Sequence, residues 1–257
     1  MLTAIFDAAV QRLRVACCAS VLLAQAAAAQ DACKLEAVGT GKVVAVRDGR
    51  TLMFEDGREL RLAAIEAPDQ SRVPLAALAE GRTLRLAKLG ADHDRYGRLV
   101  AFAFAGEGPQ SLQQALLADG QARVSSRVGG KTCAANLLAV EKVARDARRG
   151  LWADPNFAPL AAENTAKLRA EKGNFVLVVG KVLSVRESGA TLYVNFGRRW
   201  AESFSVTIPR RLGRSFAAAG MEPKQLEGRR IRVRGFLEQR SGPIVAAEAP
   251  EQIEFAD

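Results

Sequence analysis

The chain has 257 residues, 49% of them hydrophobic and 25% charged, a globular composition that excludes a disordered or fibrous protein and leaves room for two modest cores. Its formal net charge of +9 makes polyanions the favoured partners, with nucleic acid, anionic lipid and acidic glycans all of the right sign.

Residues 1–29 have the pattern of a secretory signal peptide. Arg12 and Arg14 form a basic start, Val15 to Ala29 is apolar and small, and Ala26-Ala27-Ala28-Ala29 suits a cleavage site. The apolar run is shorter than the roughly 20 residues that a membrane-spanning helix needs, so the mature chain is expected to be exported, periplasmic or secreted, with no membrane span. Cys17 and Cys18 would leave with the signal. Cys33 and Cys133 remain and are expected to pair, because two thiols in an exported protein usually do.

Past the signal, Val43 to Val46, Thr51 to Phe54 and Glu59 to Ile65 read as strands. Asp48-Gly49 and Asp56-Gly57 are turn signals, since glycine accepts the backbone angles of tight hairpins. Pro74 to Ala79 starts a short helix. Thr83 to Ala87 and Leu99 to Phe104 complete five strands. Ser111 caps a helix over Leu112 to Ala118, with Gly120 just beyond. Thr132 is expected to cap a longer helix from Cys133 to Arg149, whose apolar stripe is Leu137, Val140, Val143 and Ala144. Five short strands with helices packed on them imply a small barrel of α+β, mainly β, class.

Pro155, Pro159 and an Ala/Glu/Lys stretch mark a connecting segment over residues 159–172, partly helical. A second β-rich block follows over residues 173–257, with strands at Phe175–Val185, Thr191–Phe196, Phe204–Ile208, Arg230–Phe236 and Ile244–Glu248 and a helix at Arg211–Ala219. Five strands with a helix after the third is the arrangement of a small OB-type barrel.

Four separated motifs carry a resemblance: Val46-Arg47-Asp48-Gly49-Arg50-Thr51, the segment Arg61-Leu62-Ala63-Ala64-Ile65-Glu66-Ala67-Pro68-Asp69, Asp94-Arg95-Tyr96-Gly97-Arg98, and Gly150-Leu151-Trp152. In this order and spacing, residues 38–158 resemble a staphylococcal nuclease-like (thermonuclease) domain. The resemblance implies hydrolysis of DNA or RNA phosphodiesters. Arg61 and Arg98 match two arginines that clamp phosphate, which requires these remote guanidinium groups to meet in one cleft. Asp69 matches the catalytic glutamate, one methylene shorter. Glu66 and Asp48 match carboxylates of a Ca2+ site.

One position departs from the pattern. Arg50 stands where the family carries a calcium-binding aspartate, a change of two charge units at a cation site. Turned inward, Arg50 would repel calcium, would find Glu66, Asp69 or Asp48 as a partner, and would act as a fixed cation facing phosphate. Turned outward, it would be solvated. Three readings stay open: a phosphodiesterase with an altered metal site, a catalytically degenerate nucleic-acid binder, and a reused scaffold for envelope or protein contacts. Tyr96 is placed to stack on a base or sugar. His93, in a polar turn, reads as an exposed loop residue. In the second block, Tyr193, Phe196, Arg198, Arg199 and Trp200 mix aromatic and basic groups as single-strand binders do. Of these, Arg199 and Trp200 are the candidate nucleic-acid contacts.

Overall fold

A computed structural model describes residues 33–90, 93–199 and 202–256. The expected signal segment and Trp200 lie outside the described residues.

The first unit is a closed five-stranded barrel in the order β1-β2-β3-β6-β5. Its strands are β1 (Glu36–Asp48), β2 (Thr51–Phe54), β3 (Glu59–Leu62), β5 (Thr83–Lys88) and β6 (Leu99–Ala105). All neighbours are antiparallel except β3 and β6, which pair in parallel with Leu60 opposite Leu99. In β3, alternation sends Leu60 and Leu62 into the core and leaves Glu59 and Arg61 on the outer face. The β1 strand begins seven residues earlier than Val43, because Glu36 to Lys42 pairs with β5.

The expected single strand from Glu59 to Ile65 is split. Ala64 sits at φ 63°, a left-handed conformation that costs alanine about 1–2 kcal/mol. This turn separates β3 from the two-residue strand β4 (Ile65–Glu66), which leaves the barrel and pairs with β7 (Arg123–Val124).

Three helices cover this barrel: α1 (Arg72–Ala79), α2 (Leu112–Ala118) and α3 (Lys131–Asp146). Ser111 caps α2 in a reciprocal capping box with Gln114. Helix α3 departs from expectation twice. Its N-cap is Gly130, and Thr132 lies inside the helix. Val143 is 59% exposed, while Glu141 is fully buried. The apolar stripe is narrower than the periodicity implies because one flank of α3 packs on the second unit through a charged residue. Cys33 and Cys133 are disulfide-bonded, tying the chain ahead of β1 to α3.

Residues 160–168 are built into the second unit. Strand β8 (Leu160–Ala161) pairs in parallel with β9 (Phe175–Lys181), and Leu168 of helix α4 (Thr165–Ala170) is fully buried in the second core. The remaining strands are β10 (Ser184–Ser188), β11 (Thr191–Asn195), β12 (Ser205–Pro209), β13 (Arg230–Gln239), β14 (Pro243–Ala246) and β15 (Ile253–Phe255), with helix α5 (Gly213–Ala218) after β12. The sheet order is β10-β11-β12-β14-β13-β9-β8, with β12 and β14 parallel. Only Val182 and Leu183 separate β9 from β10. Their N–H groups donate to Arg229 O and Asn195 O, one on each side. Taken as one bent strand, β9 and β10 close a ring with the same neighbour order as the first barrel. The expected strand Phe175–Val185 is this strand, bent rather than continuous.

The two units meet through ions. Arg234 on β13 is 1% exposed in its side chain and donates to both carboxylate oxygens of Glu141, at 2.9 Å each, and to Val124 O at 3.0 Å. It also pairs with Glu254, which Arg145 and Arg232 approach as well. Among the described residues no helix is long and apolar enough to cross a membrane.

Candidate phosphate site

The site is assembled by two turns and two adjacent strands. Gly49 lets the β1–β2 turn lie against the segment after β4, since a Cβ there would stand 2.1 Å from Pro68 O. Asp48 Oδ1 accepts the Arg50 N–H at 2.8 Å and holds the turn. The side chain of Arg50 then reaches inward. Its Nη1 donates to Ile65 O at 2.7 Å, and its Nη2 lies 2.5 Å from Glu66 Oε2. The other oxygen, Glu66 Oε1, accepts from Ser125 Oγ at 3.2 Å. Both oxygens of Glu66 are therefore engaged, and the guanidinium occupies the neighbourhood in which a cation would need anionic donors.

Arg61 on β3 stands directly opposite Thr51 on β2 and donates to its Oγ1 at 3.2 Å; its nearest carboxylate oxygen is Asp48 Oδ2, at 3.9 Å. Arg98 precedes β6, next to β3 in the barrel, so strand order brings it to Arg61. Asp94 prepares Arg98 for this. Its Oδ1 accepts the N–H groups of Tyr96 and Arg98, and its Oδ2 accepts Arg98 Nε at 2.8 Å and Nη2 at 2.7 Å. Gly97, at φ 76°, supplies the left-handed residue of this turn.

The electrostatics distinguish the three arginines. Burial holds the Arg61 guanidinium below the usual arginine range, and the neighbouring charges of Arg50 and Arg98 push it further; Glu66 and Asp48 only partly oppose this. Arg50 and Arg98 pair with their carboxylates at 2.5 and 2.7 Å, whereas the ion pair of Arg61 with Asp48 is stretched to 3.9 Å, so an added anion would gain most at Arg61. Asp94 is held below the usual carboxylate range; burial opposes this, but hydrogen bonds from the Arg98 side chain and the Tyr96 and Arg98 N–H groups outweigh it.

Arg61 and Arg98 thus lie at neighbouring places on adjacent strands, close enough for their charges to interact, and Arg50, Asp48 and Glu66 act on Arg61 as well. Asp69 opens a 3-10 turn just beyond Pro68, exposed, and among the described residues its carboxylate has no hydrogen-bond or ion-pair partner. Tyr96 is 69% exposed at the rim, with Arg95 and Arg98 over its ring at 5.0 and 5.2 Å. His93 is exposed in the strand-like turn before it. Arg199 lies in the second unit, exposed and paired with Glu202. Phe196 is a core residue of that unit. Ser125 and Asp94 complete the site without having stood among the candidates; Asp94 was legible as the start of its motif, whereas Ser125 becomes visible only through the β4–β7 pairing.

A calcium ion does not fit this donor set. Arg50 lies against Glu66 and takes the Ile65 carbonyl, and among the described residues no group of three His, Cys, Asp or Glu side chains is placed to hold a metal.

The staphylococcal nuclease homologue family matches residues 59–154. This stretch contains Arg61, Glu66, Asp69, Asp94, Tyr96 and Arg98, and the Asp48–Arg50 turn lies just before it. No curated protein matches the chain significantly. With the family match laid on a closed five-stranded barrel, the chain carries a domain of the staphylococcal nuclease family.

Proposed function

We propose that this domain binds nucleic-acid phosphodiesters without calcium, with Arg50 as a built-in cation in place of the metal. Arg61 and Arg98 take phosphate oxygens, for which the planar guanidinium is the best-matched side chain. The observation that carries the reading is the Arg50–Glu66 pair, 2.5 Å apart, which uses the Glu66 carboxylate internally. Calcium-assisted hydrolysis is therefore lost while affinity for the substrate class is kept. The disulfide between Cys33 and Cys133 supports export to an oxidising compartment, where nucleic acid would be met outside the cytoplasm.

A second reading, hydrolysis without metal, is favoured by the unpaired, exposed carboxylate of Asp69. One assay separates them. Purified protein is mixed with labelled single-stranded DNA and RNA, in calcium or in chelator. Salt-sensitive binding that is lost in Arg61→Ala/Arg98→Ala, with no cleavage in either buffer, is the expected result. Cleavage in chelator that Asp69→Asn abolishes would establish the second reading, and calcium-dependent cleavage would overturn the first.

A further inference from the structure

We infer that the second unit supplies a nucleobase subsite beside the phosphate site, with Phe236 as its stacking platform. The inference rests on the phosphate-binding reading above and extends it to the base attached to the bound phosphate.

The placement follows from alternation along β13. Ile231, Val233 and Leu237 point into the second core, so Arg232, Arg234, Phe236 and Glu238 share the opposite face. Arg232 and Arg234 on that face hold the ion network with Glu141 and Glu254. Two residues beyond Arg234, about 7 Å along the strand, the same face carries Phe236 to the edge of the contact. Phe236 is 47% exposed, an unusual state for a phenylalanine that is not at a free surface loop. It packs edge-on against its cross-strand partner Phe175, with ring centroids 5.6 Å apart. Phe175 in turn packs against the buried cluster of Ala144, Trp152 and Leu177, which anchors the platform.

Phe236 borders two crevices, of about 320 and 270 Å3, and Glu66 borders both. The carboxylate that pairs with Arg50 thus separates the arginine cluster from the aromatic walls. The larger crevice is within the size range of small-molecule sites, about 300–1,000 Å3. Its far wall is Phe157, held by Arg123, whose guanidinium lies over the Phe157 and Trp152 rings and donates to Phe157 O.

The polar groups of the crevice select a base over a phosphate. Glu171, Asn156 and Asn174 line it beside the apolar walls, with Asn174 Nδ2 donating to Glu171 Oε2 at 2.9 Å, while the lining carboxylate of Glu66 is already engaged by Arg50 and Ser125. Carboxylates repel a phosphate but accept hydrogen bonds from the exocyclic amino groups of cytosine, adenine and guanine. The charges are therefore sorted: Arg61 and Arg98 lie outside for the backbone, while the crevice offers acceptors and aromatic faces for the base, its one lining cation, Arg123, being engaged by Phe157 O and by the Phe157 and Trp152 rings. Base-on-aromatic stacking needs no more than this.

The test uses the full-length, disulfide-bonded protein and two probes, a short single-stranded DNA oligonucleotide and the same chain with abasic sugars throughout. Phe236→Ala is expected to weaken DNA binding about tenfold and to leave abasic binding unchanged. Phe236→Trp should retain DNA binding and show fluorescence quenching with DNA but not with the abasic chain. DNA binding undiminished in Phe236→Ala overturns the subsite while Arg61→Ala/Arg98→Ala still reports on the phosphate site. Equal loss on both probes overturns it as well, since the ring would then act on the fold. If Arg61→Ala/Arg98→Ala binds as well as the unaltered protein, the phosphate reading fails, and the base subsite with it.

Discussion

Arg50 Nη2 lies 2.5 Å from Glu66 Oε2, and both side chains are about 15% exposed. Arg50, which the resemblance sets at the place of a cation-binding carboxylate, is the partner of Glu66. Removing it should reverse both effects. Arg50→Asp frees Glu66 and the Ile65 carbonyl and places a second anion in reach of Asp48. Calcium binding is expected by titration calorimetry in this variant and not in the unaltered chain, with thermal stabilisation that grows with calcium concentration. No heat of binding in a folded Arg50→Asp variant would refute the assigned role of Arg50.

Arg61 should trade stability for binding. Its charge is disfavoured in the fold by burial and by Arg50 and Arg98. Arg61→Gln is expected to raise stability by about 0.5–2 kcal/mol in chemical denaturation, while lowering affinity for single-stranded DNA. Inorganic phosphate should stabilise the unaltered protein more than Arg61→Gln in thermal melts. A destabilised Arg61→Gln would show instead that Arg61 is mainly a structural partner of Thr51.

The Arg234–Glu141 pair carries the contact between the units. Removing one partner leaves the other buried and unpaired, so Glu141→Ala should cost about 3–5 kcal/mol in urea denaturation. Replacing both, Glu141→Leu with Arg234→Met, should recover much of that loss. Additive losses in the double variant would show that neither residue depends on the other.

Acid should loosen the same contact. Glu254 is held below the usual carboxylate range; burial opposes this, but the charges of Arg234 and Arg145 prevail. A carboxylate with a depressed folded pKa stabilises the fold fully above its ordinary titration range and loses that contribution as pH falls through its folded value. Susceptibility to protease between residues 155 and 175 is therefore expected to be flat from pH 7 down to about 5 and to rise below about 4. Glu254→Gln should show the loosened behaviour already at pH 7.

Reduction of the Cys33–Cys133 bond opens a loop of 100 residues. The chain-entropy relation puts the loss at up to about 4.7 kcal/mol, and the midpoint in urea should fall accordingly on adding reductant. The Cys33→Ala/Cys133→Ala variant should match the reduced protein.

The first barrel was largely legible because its signals are local. Alternation in Glu59 to Leu62, the Asp-Gly turns and the Ser111 N-cap each decide a few residues by nearest-neighbour sterics and hydrogen bonds. The Asp94–Arg98 motif was legible for the same reason, since its carboxylate organises only the five residues of its own turn. Helix α3 shows the limit. Its periodicity offered Val143 to the core, yet Val143 is exposed and Glu141 is buried, because Arg234, 93 residues later, comes to meet Glu141.

By itself the sequence determined the barrel class, the family likeness, the expectation that two cysteines pair and the presence of Arg50 among the carboxylates of the motifs. Tertiary structure alone decided which way Arg50 turns, because a guanidinium on a flexible stem takes its direction from the nearest fixed carboxylate. That carboxylate, Glu66, is set by the β4–β7 pairing and the close approach of Gly49 to Pro68. The same holds for Phe236, whose neighbours along the chain mark it as a strand residue and whose place beside the phosphate site is fixed by ions that join one barrel to the other.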